Sequence, residues 1–436
     1  MPVKNILYQS VLWRGLFYIT VFLLNVLIAR HFGAMLSGIV YYLISIYSLI
    51  LLGTGLSLES GITYFIAKDE IDPGKLLLFS SIWAILVGTL ALIICSYFAP
   101  QYYDLPGNVL LFSVFTFICG NLLLSYATGF FYAKNNYVVP NSINIIINIV
   151  LIVLLPNHMF SIFHFVTNEN YFYFYFGSFF LQGLILTIAI KLKYSRHLYL
   201  RLPRVQEVKL LMTYCLTAYV SNLVFFFLYR IDYWFVNRYC TAEDLGTYIQ
   251  VSKIGQLFFV LPTILATVIF PLAAGNKHLL KEVLTLLSRS LLWLYVVICL
   301  FLVLFGSSLF PVIFGKSFGK MYGCFLFLIP GIVCLSMLYT LTAYYAGKNR
   351  ISVNTNGALM ALAVVITGDY LFIPKYGINA AALISSIGYL VYLLFVLRIF
   401  VKEYDVTWSS FFVMKNADFD LLYNKIINRN KLKNEG

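Results

Sequence analysis

Stretches of about 18–25 consecutive apolar residues recur along the whole of this chain, each long enough to cross a bilayer as one helix. Backbone amides inside hydrocarbon must be satisfied within their own segment or within a closed barrel. The stretches lack the period-2 alternation of barrel strands, so they specify helices. The material between them is sparse in charge. Only 11% of the 436 residues are charged and 61% are hydrophobic. A soluble domain carries roughly 25% charged residues, and so few here cannot coat a soluble globule of this length. The 39 Phe and 34 Tyr suit lipid-facing surfaces and interfacial belts, as in the run Tyr171–Phe176.

Twelve spans are expected, at 11–30, 38–60, 75–99, 108–133, 137–155, 171–191, 210–239, 245–273, 289–314, 323–346, 353–373 and 378–401. Lys and Arg orient them. Alternate loops and tails hold 23 basic residues on one side, against Arg30, Arg238, Lys316, Lys320 and Lys375 on the other. Both termini are therefore expected in the cytoplasm, and the net charge of +13 expresses topology, so no nucleic-acid partner is implied. The N-terminus does not read as a cleavable signal, because Arg14 interrupts its apolar stretch and Leu16–Ala29 runs straight into a span. The longest outside loop, Pro156–Asn170, is too short for a domain.

The chain also repeats itself. Arg30, Ala34 and Gly38 join the first two spans; Arg238, Ala242 and Gly246 do the same 208 residues later. Tyr132-Ala133-Lys134-Asn135 with Asn141 returns as Tyr345-Ala346-Gly347-Lys348-Asn349 with Asn354, displaced by 213. Two six-helix halves are expected, both entering from the cytoplasm and related by a pseudo-twofold along the membrane normal. The expected division is an N-lobe at 1–191, a basic cytoplasmic linker at 192–209, a C-lobe at 210–401 and a cytoplasmic amphipathic tail at 402–436. Within the tail, Trp408–Asn428 mixes apolar residues with Lys415 and Lys425 and reads as a surface helix against the membrane.

Several segments resemble the polysaccharide transporters of O-antigen flippase type, within the multidrug/oligosaccharidyl-lipid/polysaccharide (MOP) exporter superfamily. Ala29-Arg30-His31-Phe32-Gly33 with Gly38, Gly53-Thr54-Gly55-Leu56 and Phe65-Ile66-Ala67 resemble the family's opening spans. Arg230-Ile231-Asp232 followed by Gly246-Thr247-Tyr248 is similar to its seventh-to-eighth junction, and Ile373–Ala382 to its eleventh-to-twelfth. The resemblance implies the MOP/MATE-like all-α fold and export of undecaprenyl-pyrophosphate-linked sugars for O-antigen, capsule or exopolysaccharide. It implies membrane lipids and a polysaccharide polymerase or other assembly proteins as partners, and no cofactor. Asp369 stands where the family pattern has asparagine, so a private role or partner is expected there.

A lipid-linked sugar pyrophosphate needs cations in a polar cavity, and charges inside spans cost roughly 2.5–3.5 kcal/mol each, which makes them functional candidates. Arg230 and Lys253 both lie about 12–14 Å along their helices from the short loop at 240–244. Arg14 lies near the start of the first span. These three are the candidate substrate cations. Asp232 shares the Arg230 layer and reads first as a structural counter-ion to Lys253; Glu59 is placed to pair with Arg14; Asp369 completes the candidate coupling or structural carboxylates. Asn25, Asn121, Asn144, Asn148, Asn222 and Asn354 suit interhelical hydrogen bonds or sugar hydroxyls. The seven Cys have no CxxC spacing and the five His no metal spacing, so no metal is expected.

A multidrug antiporter of the same superfamily is the nearest alternative and calls for acidic cavity residues. A lipid II flippase calls for fourteen spans. A polymerase or membrane glycosyltransferase calls for a large outside loop or paired carboxylates at a cleft, and neither is visible. No P-loop is present, so a gradient or the membrane potential, whose inside-negative sign favours outward movement of an anion, is the expected energy source. Thiols introduced at Asp104, Asn168 and Lys320 are expected to react with an impermeant maleimide in intact cells, and thiols at Ser195, Asn276 and Glu435 only after lysis. External labelling at Ser195 would overturn the span map.

Overall fold

Helices account for nearly all of the computed structural model, which describes residues 3–98, 107–156, 166–168, 170–194, 200–274 and 280–414. In chain order they are α1 (Val3–Gly55), α2 (Leu58–Ala67), α3 (Pro73–Phe98), α4 (Gly107–Ala133), α5 (Val138–Val153), α6 (Tyr171–Tyr194), α7 (Val205–Tyr239), α8 (Ala242–Phe258), α9 (Val260–Ala274), α10 (Leu280–Phe314), α11 (Met321–Gly347), α12 (Ile351–Tyr404) and α13 (Ser409–Phe412). Residues 157–165 with His158 and His164, residues 195–199 with His197, residues 275–279 with His278, and the tail from 415 lie outside the described residues.

Among the described residues nine helices are long and apolar enough to cross a membrane. Two of them, α1 and α12, run to 53 and 54 residues. That is about 80 Å of helix against a hydrocarbon core of about 30 Å, so each must be two spans. Each breaks at a glycine in a conformation closed to other residues: Gly33 at φ 73, ψ 177 and Gly377 at φ 63, ψ −147. The shorter apolar helix α5 supplies one more span. The result is the all-α polytopic architecture of twelve spans.

Spans two and eight are themselves broken. Span two leaves the helix at Leu56 and Ser57, which adopt left-handed φ of 48 and 54, and resumes as α2. Span eight changes from α8 to α9 at Phe259. A break inside lipid strands backbone carbonyls that water would otherwise serve. Each break has an aromatic donor from the following span: Trp83 Nε1–H donates to the Thr54 carbonyl at 2.9 Å, and the Tyr295 hydroxyl donates to the Phe258 carbonyl. The two arrangements stand about one repeat apart, in keeping with the echoes in the sequence.

By its contacts the chain forms two compact units, one of Met1–Arg230 with Ile313–Ser317, the other of Ile231–Val312 with Phe318–Gly436. The division therefore falls within α7, beyond the basic linker. In the first unit α4 packs on α6 and α3. Phe117 meets Tyr47, Phe176 and Phe179 there, and the Tyr47 hydroxyl pairs with Ser113 Oγ at 2.9 Å. In the second unit α11 packs on α12 and α9. Lys320, ahead of α11, donates to Asp244 at 2.7 Å, and this hydrogen bond raises the pKa of the lysine.

The chain beyond α12 turns back on its own unit. Asp405 takes a left-handed conformation, and α13 makes a single turn before Val413 extends. Phe411 is wholly buried with its ring edge-on to Phe400. Arg289 on α10, 5% exposed, donates from Nη1 to the Ser410 carbonyl at 3.0 Å, and Trp293 Nε1 donates to the Phe412 carbonyl at 3.0 Å. Side chains of α10 thus take the Ser410 and Phe412 carbonyls of this turn, and the expected surface helix beyond it, from 415, lies outside the described residues. Arg289→Ala should cost about 1–3 kcal/mol of stability through the abandoned Ser410 carbonyl, and should speed chymotryptic cleavage at Trp408–Phe412. Cleavage at the wild-type rate would show that this latch does not hold the tail.

Candidate functional site

The buried carboxyls of the second unit are positioned by close helix approach. The two limbs of α12 touch through glycines: a Cβ on Gly368 would lie 2.6 Å from Ile384 Cγ2, and one on Gly388 2.5 Å from Val365 Cγ2. Only hydrogen fits there, and the contact brings the levels of Asp369 and Ser385 together. Asp232, near the end of α7, is 2% exposed and fully engaged. Its Oδ2 accepts from the Tyr248 hydroxyl and from Ser385 Oγ at 3.2 Å, and its Oδ1 accepts from the Tyr233 N–H at 2.9 Å. Tyr248 Oη and Ser385 Oγ are themselves 3.4 Å apart. Asp369 is wholly buried and within electrostatic reach of Asp232, yet neither of its carboxyl oxygens has a hydrogen-bond partner among the described residues. Lys253 is half-buried further along α8.

The first unit holds Arg14, Glu59 and Arg230. Each arginine lies over an aromatic face: the Arg14 guanidinium 5.4 Å from the Tyr132 ring centre, and that of Arg230 5.3 Å from Phe226. Such contacts contribute about 0.5–2 kcal/mol and leave the N–H fork available. Tyr132 is in turn held by Asn141, whose Nδ2 lies 3.3 Å from the phenolic oxygen. Glu59 sits in the first turn of α2, its backbone oxygen close to Gly129, and it forms no ion pair with Arg14 among the described residues. The hairpin pairing expected of these two is replaced by the aromatic seat of Arg14.

Three of the six intramembrane asparagines reach across to another segment. Asn148 donates to Thr20 Oγ1 at 3.3 Å, Asn222 to Ser57 Oγ at 3.0 Å and Asn354 to the Thr342 carbonyl at 2.9 Å. Asn25 and Asn121 bond back to their own helices, at Val21 and Phe117. The buried Asn144 leaves its Oδ1 without a hydrogen-bond partner among the described residues. All seven cysteines are free thiols. Among the described residues no group of three or more His, Cys, Asp or Glu side chains is placed to hold a metal ion.

The hydroxyls around Asp232 are functional candidates that sequence reasoning passes over. Tyr248 and Ser385 lie in apolar runs, where a phenol or a serine looks like core. The one available signal is that Tyr248 sits 16 residues from Asp232 across a short turn, at the same depth of two adjacent spans.

No family model matches this chain, and no curated protein matches it. Solved structures do. The lipid II flippase MurJ in an inward-closed conformation is 15% identical over 89% of this chain and 86% of its own, with a TM-score of 0.72. A mutant of the Vibrio cholerae MATE transporter VcmN is 13% identical over 93% and 98%, with a TM-score of 0.64. A MOP-superfamily transporter from Pyrococcus furiosus is 14% identical over 93% and 97%, with a TM-score of 0.63. The fold is that of the MOP-superfamily transporters.

Enlarging Gly368 tests the packing that sets the acid pair. Gly368→Leu should cost about 1–3 kcal/mol through overpacking and lower the thermal midpoint in detergent, with Gly368→Ala milder. An unchanged midpoint in Gly368→Leu would mean that the limbs of α12 are not in contact at this level.

Proposed function

We propose that the chain moves a lipid-linked oligosaccharide across a bacterial inner membrane by alternating access. The cargo is an undecaprenyl pyrophosphate carrying an O-antigen, capsule or exopolysaccharide repeat unit. The observation that carries this reading is the placement of Arg14 and Arg230 in apolar helices, each seated on an aromatic face with no carboxylate partner among the described residues. A pyrophosphate is recognised by such planar forks, because guanidinium pairs with phosphate oxygens through two parallel hydrogen bonds. Lys253 supplies a third cation. The fold shared with a protein named as a lipid II flippase supports a lipid-linked cargo. In this reading both termini are cytoplasmic, the two lobes of the repeat alternate about the cargo, and no chemical step takes place.

The energetics follow from charge. The bacterial interior is negative, so an anionic head moving outward runs down the field by about 2.3 kcal/mol per charge per 100 mV. A head with roughly two charges gains some 5 kcal/mol per 100 mV on that basis. Asp232 and Asp369 add a second element. A lone charge at the depth of Asp369 costs several kcal/mol, so that carboxyl takes either a proton or a cation as its counter-charge. The acid pair is the observation that favours the second reading, a cation-coupled multidrug antiporter, and it also allows cation return during flipping.

Purified protein in liposomes should translocate a fluorescent undecaprenyl-pyrophosphate oligosaccharide under an imposed potential. Arg230→Ala and Lys253→Ala should each slow this by about tenfold or more, equivalent to at least about 1.4 kcal/mol, while Arg230→Lys is milder. Full activity in both alanine variants would remove the cations from the mechanism. Transport driven by a pH gradient alone, and lost in Asp369→Asn, would replace the electrical drive with proton coupling. Efflux of a lipophilic cation without lipid movement would establish the antiporter.

A further inference from the structure

Within the first unit, α5 carries three buried asparagines, Asn141, Asn144 and Asn148, spaced three and four residues apart. That spacing puts them on one face as a ladder about 10 Å long. The helix packs on α1, and the two end rungs are engaged. Asn141 Nδ2 lies 3.3 Å from the Tyr132 hydroxyl oxygen and donates to the Tyr137 carbonyl at 2.6 Å. Asn148 donates to Thr20 Oγ1 of α1 at 3.3 Å. The middle rung differs. Asn144 is 6% exposed, and its Oδ1 has no hydrogen-bond partner among the described residues. A bare buried acceptor destabilises the span that carries it, so Asn144 calls for a donor from outside the fold.

The second half of the sequence shows that the fold does not demand this rung. The 213-residue displacement that takes Asn141 to Asn354 takes Asn144 to Gly357 and Asn148 to Ala361. Asn354 bonds a backbone carbonyl, as Asn141 does. Gly357 and Ala361 serve close packing instead: a Cβ on Gly357 would lie 2.5 Å from the Tyr392 ring, and one on Gly388 would lie 3.4 Å from the Ala361 oxygen. The two extra rungs therefore occur only in the half that seats Arg14. Arg14 and Asn141 share Tyr132, the guanidinium 5.4 Å from its ring centre and the amide at its hydroxyl. Tyr137 packs on the same ring with centres 4.8 Å apart, and the exposed Tyr18 stands one turn beyond Arg14 on α1. A guanidinium fork suits a phosphate, aromatic faces suit the C–H side of a sugar, and a bare amide suits a donor on its polar rim.

We propose that Asn144 is a specificity residue for the first sugar of the cargo. This rests on the flippase reading above, in which Arg14 meets the pyrophosphate. Asn144 then accepts from the sugar joined to that pyrophosphate, through a ring hydroxyl or an acetamido N–H. The step along α5 from Asn141 to Asn144 is about 4.5 Å, comparable to one sugar residue. The Oδ1 is shielded in this conformation, so cargo reaches it in another state of the transport cycle. The arginines hold charge and Asn144 distinguishes a sugar-bearing diphosphate from a bare one.

The test measures binding to the full chain in nanodiscs. Three probes share one lipid tail: undecaprenyl pyrophosphate, and the same diphosphate carrying glucose or N-acetylglucosamine. The native chain should bind a sugar-bearing probe about tenfold more tightly than the bare diphosphate. Preference for both sugars assigns the donor to a hydroxyl, and preference for N-acetylglucosamine alone assigns it to the acetamido N–H. Asn144→Leu, or Asn144→Ala where leucine does not fold, should bring the preference to within about twofold and leave the affinity for undecaprenyl pyrophosphate unchanged. The thermal midpoint of that variant should stay level or rise, because a bare acceptor is removed. Asn148→Ala, which abandons Thr20, should lower the midpoint and keep the sugar preference. A preference that survives the loss of Asn144, or a native chain that binds the bare diphosphate as tightly as the sugar-bearing ones, overturns the subsite and leaves the flippase assignment standing. A native chain that binds none of the three diphosphates overturns the flippase assignment, and the subsite with it.

Discussion

A backbone amide in hydrocarbon has no water to fall back on, and this chain is arranged around that constraint. Its spans are helical because only a helix satisfies every amide locally. Its two longest helices change direction at Gly33 and Gly377, where the chain reverses between spans. Where a span is broken within its length, at Leu56–Ser57 and at Phe259, a tryptophan or tyrosine of the following span serves the freed carbonyl. The breaks are thus built features, each with a donor assigned to it. They stand at corresponding places in the two halves of the sequence.

The same constraint sorts the polar side chains. Asparagines and serines in the spans either bond back to their own helix, as Asn25, Asn121 and Ser48 do, or reach a neighbouring one, as Asn148, Asn222 and Ser386 do. The candidate charges are spread over both units, Arg14, Glu59 and Arg230 in the first and Asp232, Lys253 and Asp369 in the second. The first unit seats arginines on aromatic rings, an arrangement that keeps a cation in place without neutralising it. The second unit encloses two carboxyls, one ringed by hydroxyls and an amide and one with bare oxygens. In the proposed function the arginines meet the anionic cargo and the carboxyls take the counter-charge.

Much of this was legible in the sequence. The twelve spans could be read from apolar length, because in lipid each amide is satisfied locally and long-range pairing does not decide the secondary structure. The candidate charges stood out because they are costly where they are. What could not be read is what each charge touches. Arg14 and Glu59 look like a pair along the chain, but the structure gives Arg14 the ring of Tyr132, a residue far away in sequence. Tyr248 and Ser385 look like core, and their role appears only once α7, α8 and α12 converge on Asp232. Nor does composition announce that Gly368 meets Ile384, since close approach depends on helix rotation, which hydropathy does not encode.

The central claim is that this carrier recognises an anionic lipid head through cations held inside its spans. Native mass spectrometry of the purified protein, offered an undecaprenyl-pyrophosphate oligosaccharide, the same lipid alcohol without phosphate, and a lipophilic cation, measures that directly. The account predicts a retained complex with the pyrophosphate lipid alone, weakened in the Arg14→Ala and Arg230→Ala chains. Retention of the lipophilic cation instead, lost in Asp232→Asn or Asp369→Asn and indifferent to the arginines, would contradict it.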